Sequence, residues 1–263
     1  MVQNGVKLEI AETLHSGHAT ELARTAAADG MRLVVAAGGD GTIAEVAAGL
    51  EGSDTPMGII PLGTANVLAH ELGLPFAPVA VAAGLVFGRT RALWPGIAST
   101  GGVPRLFVQM IGAGFDAEVV HHLSLPLKRV LGKGAYVLQG LRETMRYRFP
   151  QIAITIDGVA TEAGSVIVTK GRYYAGHYTL APDASPMAPG FTVAMFDCAG
   201  PFATLAYGAA LPLNMIHHMP GVRLQRAHEV TLGAYPTQAD GDPCGIGPTL
   251  VCDAKMPIRV VVP

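Results

Sequence analysis

The chain has 263 residues, half of them hydrophobic and 14% charged, with a formal net charge of −2. That composition is enough for a sizeable core and excludes a disordered chain. It also excludes a general nucleic-acid binder, which needs a basic surface. Three scattered cysteines, Cys198, Cys244 and Cys252, fit neither a disulfide framework nor a zinc site and point to a reducing, cytoplasmic setting. The opening residues are polar, so no secretory leader is expected. The longest nearly apolar run, Leu72 to Gly88, is interrupted by Pro75 and Pro78 and falls short of the roughly 20 residues a spanning helix needs.

Val6 to Ile10 alternates apolar and polar residues, the pattern of a strand. Ser16 is placed to cap a helix that runs to about Asp29 and ends at Gly30, with Ala19, Leu22, Ala23, Ala26 and Ala27 at helical spacing. Leu33 to Ala37 is a short apolar run that reads as a buried strand. It stops at Gly38-Gly39-Asp40-Gly41-Thr42, and apolar residues then resume at helical spacing with Ile43, Val46, Ala47 and Leu50. Glycines let a backbone approach an anion, and the first turn of a helix offers free N–H groups and the positive end of its dipole. The stretch therefore reads as a phosphate site or as an ordinary strand-to-helix turn with Asp40 as a turn residue. No Gly-Lys-Ser/Thr follows, so it is not the common P-loop. Met57 to Gly73 repeats the design: a strand ending at Pro61, a turn at Gly63, and Thr64 placed to cap a helix that closes at Gly73. Two such units put two glycine turns at the carboxyl edge of a parallel sheet, where open α/β sheets bind ligands. Pro78 to Phe87 reads as another helix, stopped by Gly88. Residues 1–90 thus alternate strand and helix and form an α/β domain.

After residue 90 the pattern changes. Arg91 to Ala98 and Arg105 to Ile111 read as strands, and Gly134 to Arg148 as a helix with Tyr136, Leu138, Leu141 and Met145 at helical spacing. Gln151 to Ile156 alternates for a half-buried strand, and Asp157-Gly158 is a hairpin turn. Further strands are expected at Ser165 to Thr169, Thr192 to Phe196, Val222 to Gln225, Glu229 to Leu232 and Ile258 to Val262. Many short strands with Gly/Pro punctuation make residues 91–263 a β-rich antiparallel sandwich. The pairs His121-His122 and His217-His218 invite a metal reading, but adjacent side chains point apart on a helix or strand, so solvated or packed rings are the simpler expectation. The basic set Lys128, Arg129, Lys133, Arg142, Arg146 and Arg148 surrounds the expected helix. It reads as a solvated face, or as a contact for anionic headgroups worth about 1 kcal/mol per basic residue.

Gly38-Gly39-Asp40-Gly41-Thr42 followed by Pro61-Leu62-Gly63-Thr64-Ala65-Asn66 resembles the bacterial diacylglycerol kinase and sphingosine kinase family of lipid kinases. The first motif is shared with NAD kinases and, more loosely, with phosphofructokinases; the second favours the lipid-kinase branch. The likeness continues through Thr13, Gly17-His18-Ala19, Gly112 to Val119, Lys128-Arg129, Gly171 to Gly176, Ala181 to Ala184 and Asp240-Gly241-Asp242. The resemblance implies an α/β N-terminal domain with a parallel sheet, of the NAD kinase and diacylglycerol kinase type, a cleft, and a larger β-rich antiparallel sandwich that takes the lipid. It implies an ATP-dependent kinase acting on a hydroxyl of a diacylglycerol-like or long-chain-base lipid. An NAD kinase-like enzyme and a non-catalytic lipid- or nucleotide-binding protein are the alternatives. The lipid kinase would be cytoplasmic, peripheral at the inner membrane face, with a lipid substrate and no nucleic-acid partner; a homodimer is compatible with this reading. The resembled family begins with a further strand and helix joined by an Asn-Pro turn, and this sequence starts at what would be its second strand.

By the same resemblance, Gly38, Gly39, Asp40, Gly41, Thr42, Ile43 and Ala44 hold the ATP phosphates, and Thr13 and Thr64 are further nucleotide contacts. Asp40, a carboxylate inside a phosphate loop, repels ATP unless a cation lies between them, so it implies Mg2+; a helix-capping role is the alternative, and both can hold together. Asp242 stands where the family has the glutamate of Asp-Gly-Glu, the proton acceptor, and is the candidate base. The competing reading is a plain Asp-Gly hairpin. Aspartate is one methylene shorter than glutamate, and misplacements of roughly 1 Å can cost about a hundredfold in rate. Two more departures are Val67, where the family often has Asp, and Pro189-Gly190, where many members have Asp-Gly at a structural magnesium. Pro189 offers no carboxylate, so that metal is expected to be absent.

Overall fold

Two sheets meet along a shared core. The computed structural model describes residues 7–122 and 133–263. The first sheet has four strands in the order β1 (Val34–Gly38), β2 (Met57–Pro61), β16 (Ile258–Val262), β3 (Arg89–Leu93). β1, β2 and β16 are parallel and β3 is antiparallel to β16. Helix α2 (Asp40–Gly49) follows β1 and buries Ile43, Val46 and Ala47, and Leu50, which ends it, is buried on the same side, as their helical spacing requires. Helix α1 (His18–Ala28) lies against α2 closely enough that a Cβ on Gly49 would meet the Thr20 carbonyl oxygen at 2.4 Å. Short α3 (Val67–Glu71) and apolar α4 (Pro78–Phe87) complete this unit.

Several expectations are corrected here. Residues 7–10 are irregular rather than a strand, and Val6 lies outside the described residues. Leu8 and Ile10 stay exposed, so their alternation finds no apolar face to bury against. Ser16 does not cap α1. Glu45 of α2 does so instead, accepting from Gly17 N–H at 2.9 Å and Ala19 N–H at 3.2 Å. A carboxylate at the positive end of a helix makes charge-assisted bonds that a hydroxyl cannot match. Thr64 likewise gives way to Asn66, the residue that precedes α3 at φ 48°. Its amide brackets Gly63, accepting from the glycine N–H at 2.8 Å and donating to its carbonyl at 2.7 Å. Asn tolerates this left-handed conformation better than most residues.

The second sheet has ten strands and folds into an antiparallel sandwich. Its main path runs β13 (Val222–Ala227), β12 (Phe191–Phe196), β9 (Ser165–Thr169), β6 (Met110–Ala113), β14 (Glu229–Ala239), β15 (Asp242–Asp253), β4 (Gly96–Thr100), β5 (Val103–Phe107). β7 (Ile152–Ile156) pairs with β14 and with β8 (Val159–Ala163) through the expected Asp157-Gly158 turn. Ile111, Ile154, Val168, Val193, Val230 and Val251 fill the interior. Helices α5 (Phe115–His122), α6 (Lys133–Thr144) and α7 (Pro201–Ala210) pack outside, with a small ladder of β10 (Tyr173–Tyr174) and β11 (Tyr178–Thr179).

The sheets do not divide at residue 90. β3 belongs to the first sheet, and the last strand, β16, returns to it. The expected strand from Arg91 to Ala98 is broken at Trp94-Pro95, where proline removes a ladder donor and the chain changes sheets. Leu106 and Val108 lie in the core of the first unit, so the two units share buried surface. Of the histidine pairs, His121 and His122 point to different partners, whereas the His217 and His218 rings lie 4.1 Å apart between centroids, tilted at 45°. A tight 3-10 turn brings those neighbours together, contrary to the expectation that adjacent rings diverge. Lys128 and Arg129 lie outside the described residues.

The loop that precedes β12 is held by an internal ammonium. Lys170 is buried, and its Nζ donates to the Gly190 carbonyl at 2.8 Å, to the Ala188 carbonyl at 3.5 Å and to Asp253 Oδ1 at 2.5 Å. It also sits 4.5 Å from the centre of the Phe191 ring. Burial pushes the Lys170 pKa down, and Asp253 opposes that shift. A divalent ion at these carbonyls would meet this charge, so the residues present do not fit a structural metal in the loop. Lys170→Met leaves Asp253 partly buried without its cation, and we expect a loss of roughly 3–5 kcal/mol, read as a lowered urea midpoint. An unchanged midpoint would show that the loop does not depend on the ammonium.

Candidate active site

The two glycine turns touch backbone to backbone. A Cβ on Gly63 would lie 2.4 Å from the Gly39 Cα, and a Cβ on Gly38 would lie 2.6 Å from Thr42 Oγ1. The Leu62 N–H donates to the Gly38 carbonyl at 2.9 Å, locking the turns together at the carboxyl edge of β1 and β2. The first intrahelical bond recorded at the start of α2 runs from Ile43 N–H to the Gly39 carbonyl. The N–H groups of Asp40, Gly41 and Thr42 precede it and form the open end that an anion can use. Ile43 and Ala44 are buried in the core, and the Ile43 N–H is already committed, so these two positions offer less to a ligand than the glycines do. Thr64 is exposed on the second turn. Thr13 is exposed in the irregular segment before α1, and no described contact links it to the turns.

Asp40 points to the start of α3. Its Oδ1 accepts from the Leu68 N–H at 3.3 Å. Burial raises its pKa, and the N–H groups of Leu68, Val67 and Asn66 oppose the rise. The negative charge of Asp40 also reaches Asp240, whose pKa burial pushes up to about 6. Asp40 is the carboxylate beside the turn that could hold a cation accompanying ATP phosphates, while its Oδ1 also accepts from the start of α3.

The Asp240-Gly241 turn is a two-residue hairpin loop joining Ala239 to Asp242, with φ 50° and 83° at its two positions. Both lie in the left-handed region that type I′ hairpins require. The hairpin carries Asp242 across to the other unit, where a Cβ on Gly41 would lie 3.0 Å from Asp242 Oδ2. Arg105 flanks it, with Nη2 at 3.6 Å from Asp242 Oδ2 and Nη1 donating to the Pro243 carbonyl at 2.7 Å. The structure thus brings Asp242, Gly41 and Asp40 to one place, and it leaves Thr13 outside the described contacts.

Residues missed in the sequence support this turn. Asp240 accepts from three consecutive N–H groups, Val108 at 2.7 Å and Gln109 and Met110 at 2.9 Å. Those bonds also explain why the expected strand from Arg105 to Ile111 is split in two. Gln238 accepts from the Gly241 N–H at 2.8 Å and donates to Asp116 at 2.7 Å, and Asp116 accepts from the Tyr174 hydroxyl. Glu71, at the end of α3, accepts from the Arg172 N–H at 2.8 Å and from Arg172 Nε at 3.0 Å. Only a resemblance pointed to Asp116, Arg172 and Tyr174; nothing in their spacing marks them. A cavity of about 470 Å³ lies at this end of α3, lined in part by Glu71, Arg89, Arg91 and Arg172, and it includes none of the phosphate-turn residues.

A parallel α/β unit that presents an anion-binding helix start to a carboxylate from a β-sandwich defines a kinase-type two-unit fold. Residues 1–95 match the diacylglycerol kinase catalytic domain, and residues 109–262, more than half of the chain, match the YegS C-terminal NAD kinase beta sandwich-like domain. The chain belongs to the diacylglycerol kinase-like family of lipid kinases. It is 34% identical over 188 residues to a diacylglycerol kinase of Bacillus subtilis, covering 70% of this chain and 61% of that one. It is 37% identical over 139 residues to a Pseudomonas fluorescens protein named "Probable lipid kinase YegS-like", covering 52% and 45%. The matched stretch therefore spans about half to three-fifths of these relatives' lengths. A diacylglycerol kinase structure from Bacillus anthracis shares the fold, with a TM-score of 0.73 at 21% identity over 97% of this chain and 85% of that one.

Two measurements check the geometry. Gly63→Ala forces the turns apart, and we expect a destabilisation of roughly 1–3 kcal/mol together with loss of nucleotide binding by calorimetry. Retained binding would show that the contact of the turns is dispensable. Asp240 has a folded pKa raised above its unfolded value, so its stabilisation is complete below about pH 3.9 and fades as pH rises through about 6. Wild type should therefore exceed Asp240→Asn in urea stability by a wider margin at pH 5 than at pH 8. A margin that is equal or wider at pH 8 contradicts the inward placement of this carboxylate.

Proposed function

We propose that this protein transfers the γ-phosphoryl group of ATP to a hydroxyl of a diacylglycerol-like or long-chain-base lipid. The observation that carries this reading is the approach of the Asp242 carboxylate to Gly41 in the glycine turn. A carboxylate at that spot accepts the proton of a hydroxyl attacking a phosphoryl group held by the turn. MgATP, when bound, supplies the transferable phosphoryl group and a cation that neutralises phosphate charge. The N–H groups at the start of α2 hold phosphate oxygens, the glycines admit them without steric conflict, and Asp40 orients the metal while capping α3. Catalysis here is positioning and charge stabilisation more than covalent chemistry.

The surface supports a membrane-bound substrate. Leu141 and Met145 are exposed beside Arg142, Arg146 and Arg148 at the end of α6, a mixed apolar and basic face suited to an anionic bilayer. No helix among the described residues is long and apolar enough to cross a membrane. Contact at the surface, on the cytoplasmic side where anionic lipid is concentrated, is the arrangement we propose.

Radiolabel transfer from ATP to diacylglycerol or sphingoid bases in mixed vesicles tests the assignment. Asp242→Ala should lower kcat by roughly 100-fold or more with little change in KM for ATP, because a base acts in the transition state. Since Asp242 already touches the turn, Asp242→Glu should also lower turnover. Unchanged turnover in Asp242→Ala would return this stretch to a simple hairpin.

A further inference from the structure

A second cluster of ionisable groups lies away from the glycine turns, where α5 meets α6. Glu118 and His122 stand one helical turn apart on α5, and Glu143 faces them from α6. A ring nitrogen of His122 and one carboxylate oxygen from each glutamate all lie within 4.8 Å of one another. His122 Nδ1 is 3.5 Å from Glu118 Oε1 and 3.9 Å from Glu143 Oε1. Ligands of a tetrahedral ion bound at about 2.0–2.1 Å are separated by roughly 3.3–3.5 Å, so only small side-chain movements close the set.

We propose that Glu118, His122 and Glu143 form a binding site for a transition-metal dication, Zn2+ or Mn2+, that pins α5 to α6. An i,i+4 pair on one helix with a third donor from a facing helix is a geometry that chelates without backbone change. One imidazole and two carboxylates make a mixed nitrogen and oxygen set, which favours Zn2+ or Mn2+ over Mg2+. His122 is exposed, which leaves a water or a further ligand free to complete the coordination sphere.

The charges at the site point the same way: the described group able to carry positive charge beside both glutamates is the His122 imidazole, 3.5 and 3.9 Å from them. The Glu143 side chain is 95% buried, since only 5% of its surface is accessible. Its recorded hydrogen bond comes from a neutral group, the Gln139 amide, at 2.7 Å. Among the described residues, no Lys or Arg pairs with Glu118 or Glu143. A buried carboxylate beside a second carboxylate is costly unless a cation joins them. Coordination through Nδ1 replaces the present 3.1 Å contact between that atom and the Glu118 carbonyl. The ring proton then moves to Nε2.

The test is metal binding without ATP or lipid, so its outcome does not depend on the kinase reading. The chelator-stripped, desalted chain is titrated with ZnCl2, MnCl2 and MgCl2 by calorimetry, and CoCl2 is added to read the ligand field in the visible spectrum. We expect one Zn2+ per chain, a rise in melting temperature, weaker Mg2+ binding, and a Co2+ spectrum of nitrogen and oxygen ligation. Loss of a supporting outer-shell group alone costs about 10–100-fold in metal affinity, so His122→Ala and Glu143→Gln should each weaken Zn2+ binding by roughly tenfold or more. Glu143→Gln keeps the shape of the side chain and an acceptor for Gln139, so a folding defect is not confused with a lost ligand. His15→Ala, on the exposed segment before α1, should bind like wild type. Zn2+ affinity unchanged by His122→Ala and Glu143→Gln, or no binding at millimolar Zn2+, would overturn the site and leave His122 as an ordinary ion-pair partner.

Discussion

The inward carboxylate of Asp240 is the constraint on which the arrangement of this molecule rests. It gathers three consecutive N–H groups from the β5–β6 junction and sits at the tip of the β14–β15 hairpin. Hydrogen bonds to a charged acceptor contribute about 1.5–3 kcal/mol each, yet the Asp240 pKa is raised, not lowered. Desolvation, with the nearby charge of Asp40, therefore outweighs the three donors. The interaction serves position more than stability: it fixes where the hairpin tip lies, and the next residue but one is Asp242. Gln238 and Asp116 hold the same tip from behind through the Gly241 N–H.

Helix α3 plays the matching part on the other side. Five residues are too few for a helix to be stable alone. Both of its ends are held by acidic groups. Asp40 accepts from its first turn, and Glu71 at its last residue reaches into the loop that carries Arg172. The first bond ties α3 to the glycine turn and the second ties it to the sandwich. A short helix spans the two units, and its position follows from the contacts at its ends.

Much of this was legible in the sequence, and the failures have physical causes. The β1 and β2 strands and the helix after Gly39 were readable because apolar periodicity and glycine turns coincide there. Pro78 to Phe87 was readable from its proline start and glycine stop. The capping residues were not, because proximity in sequence favoured Ser16 and Thr64 while the folded chain supplies Glu45 and Asn66 from elsewhere or in an unusual conformation. The return of β16 to the first sheet left no local mark, since a valine-rich strand suits either sheet. The Asp240-Gly241 turn was readable as a hairpin, but not its three N–H donors, which lie about 130 residues away in sequence. Asp242 illustrates both levels at once: the hairpin is real, and it is also what delivers the carboxylate to Gly41.

The manner in which the units join bears on how the site works. The chain crosses between sheets at Trp94-Pro95 and again between Asp253 and Ile258, and each crossing is short. The Trp94 N–H donates to the Pro186 carbonyl at 2.8 Å and the Ala254 N–H to the Pro95 carbonyl at 3.0 Å, so both crossings are hydrogen-bonded. Leu106 and Val108, from the sandwich, are buried in the core of the α/β unit beside Leu93 and Ile258. A joint with a packed apolar core and bonded crossings does not behave like a flexible linker, because opening it exposes apolar surface at about 25 cal/mol per Å². Val108 is also one of the three donors to Asp240. The residue that seals the joint thus helps place the hairpin tip, and the separation of Asp242 from Gly41 is set by the same packing that holds the two units together. A site built this way is preorganised, with little rearrangement left to make when substrate arrives.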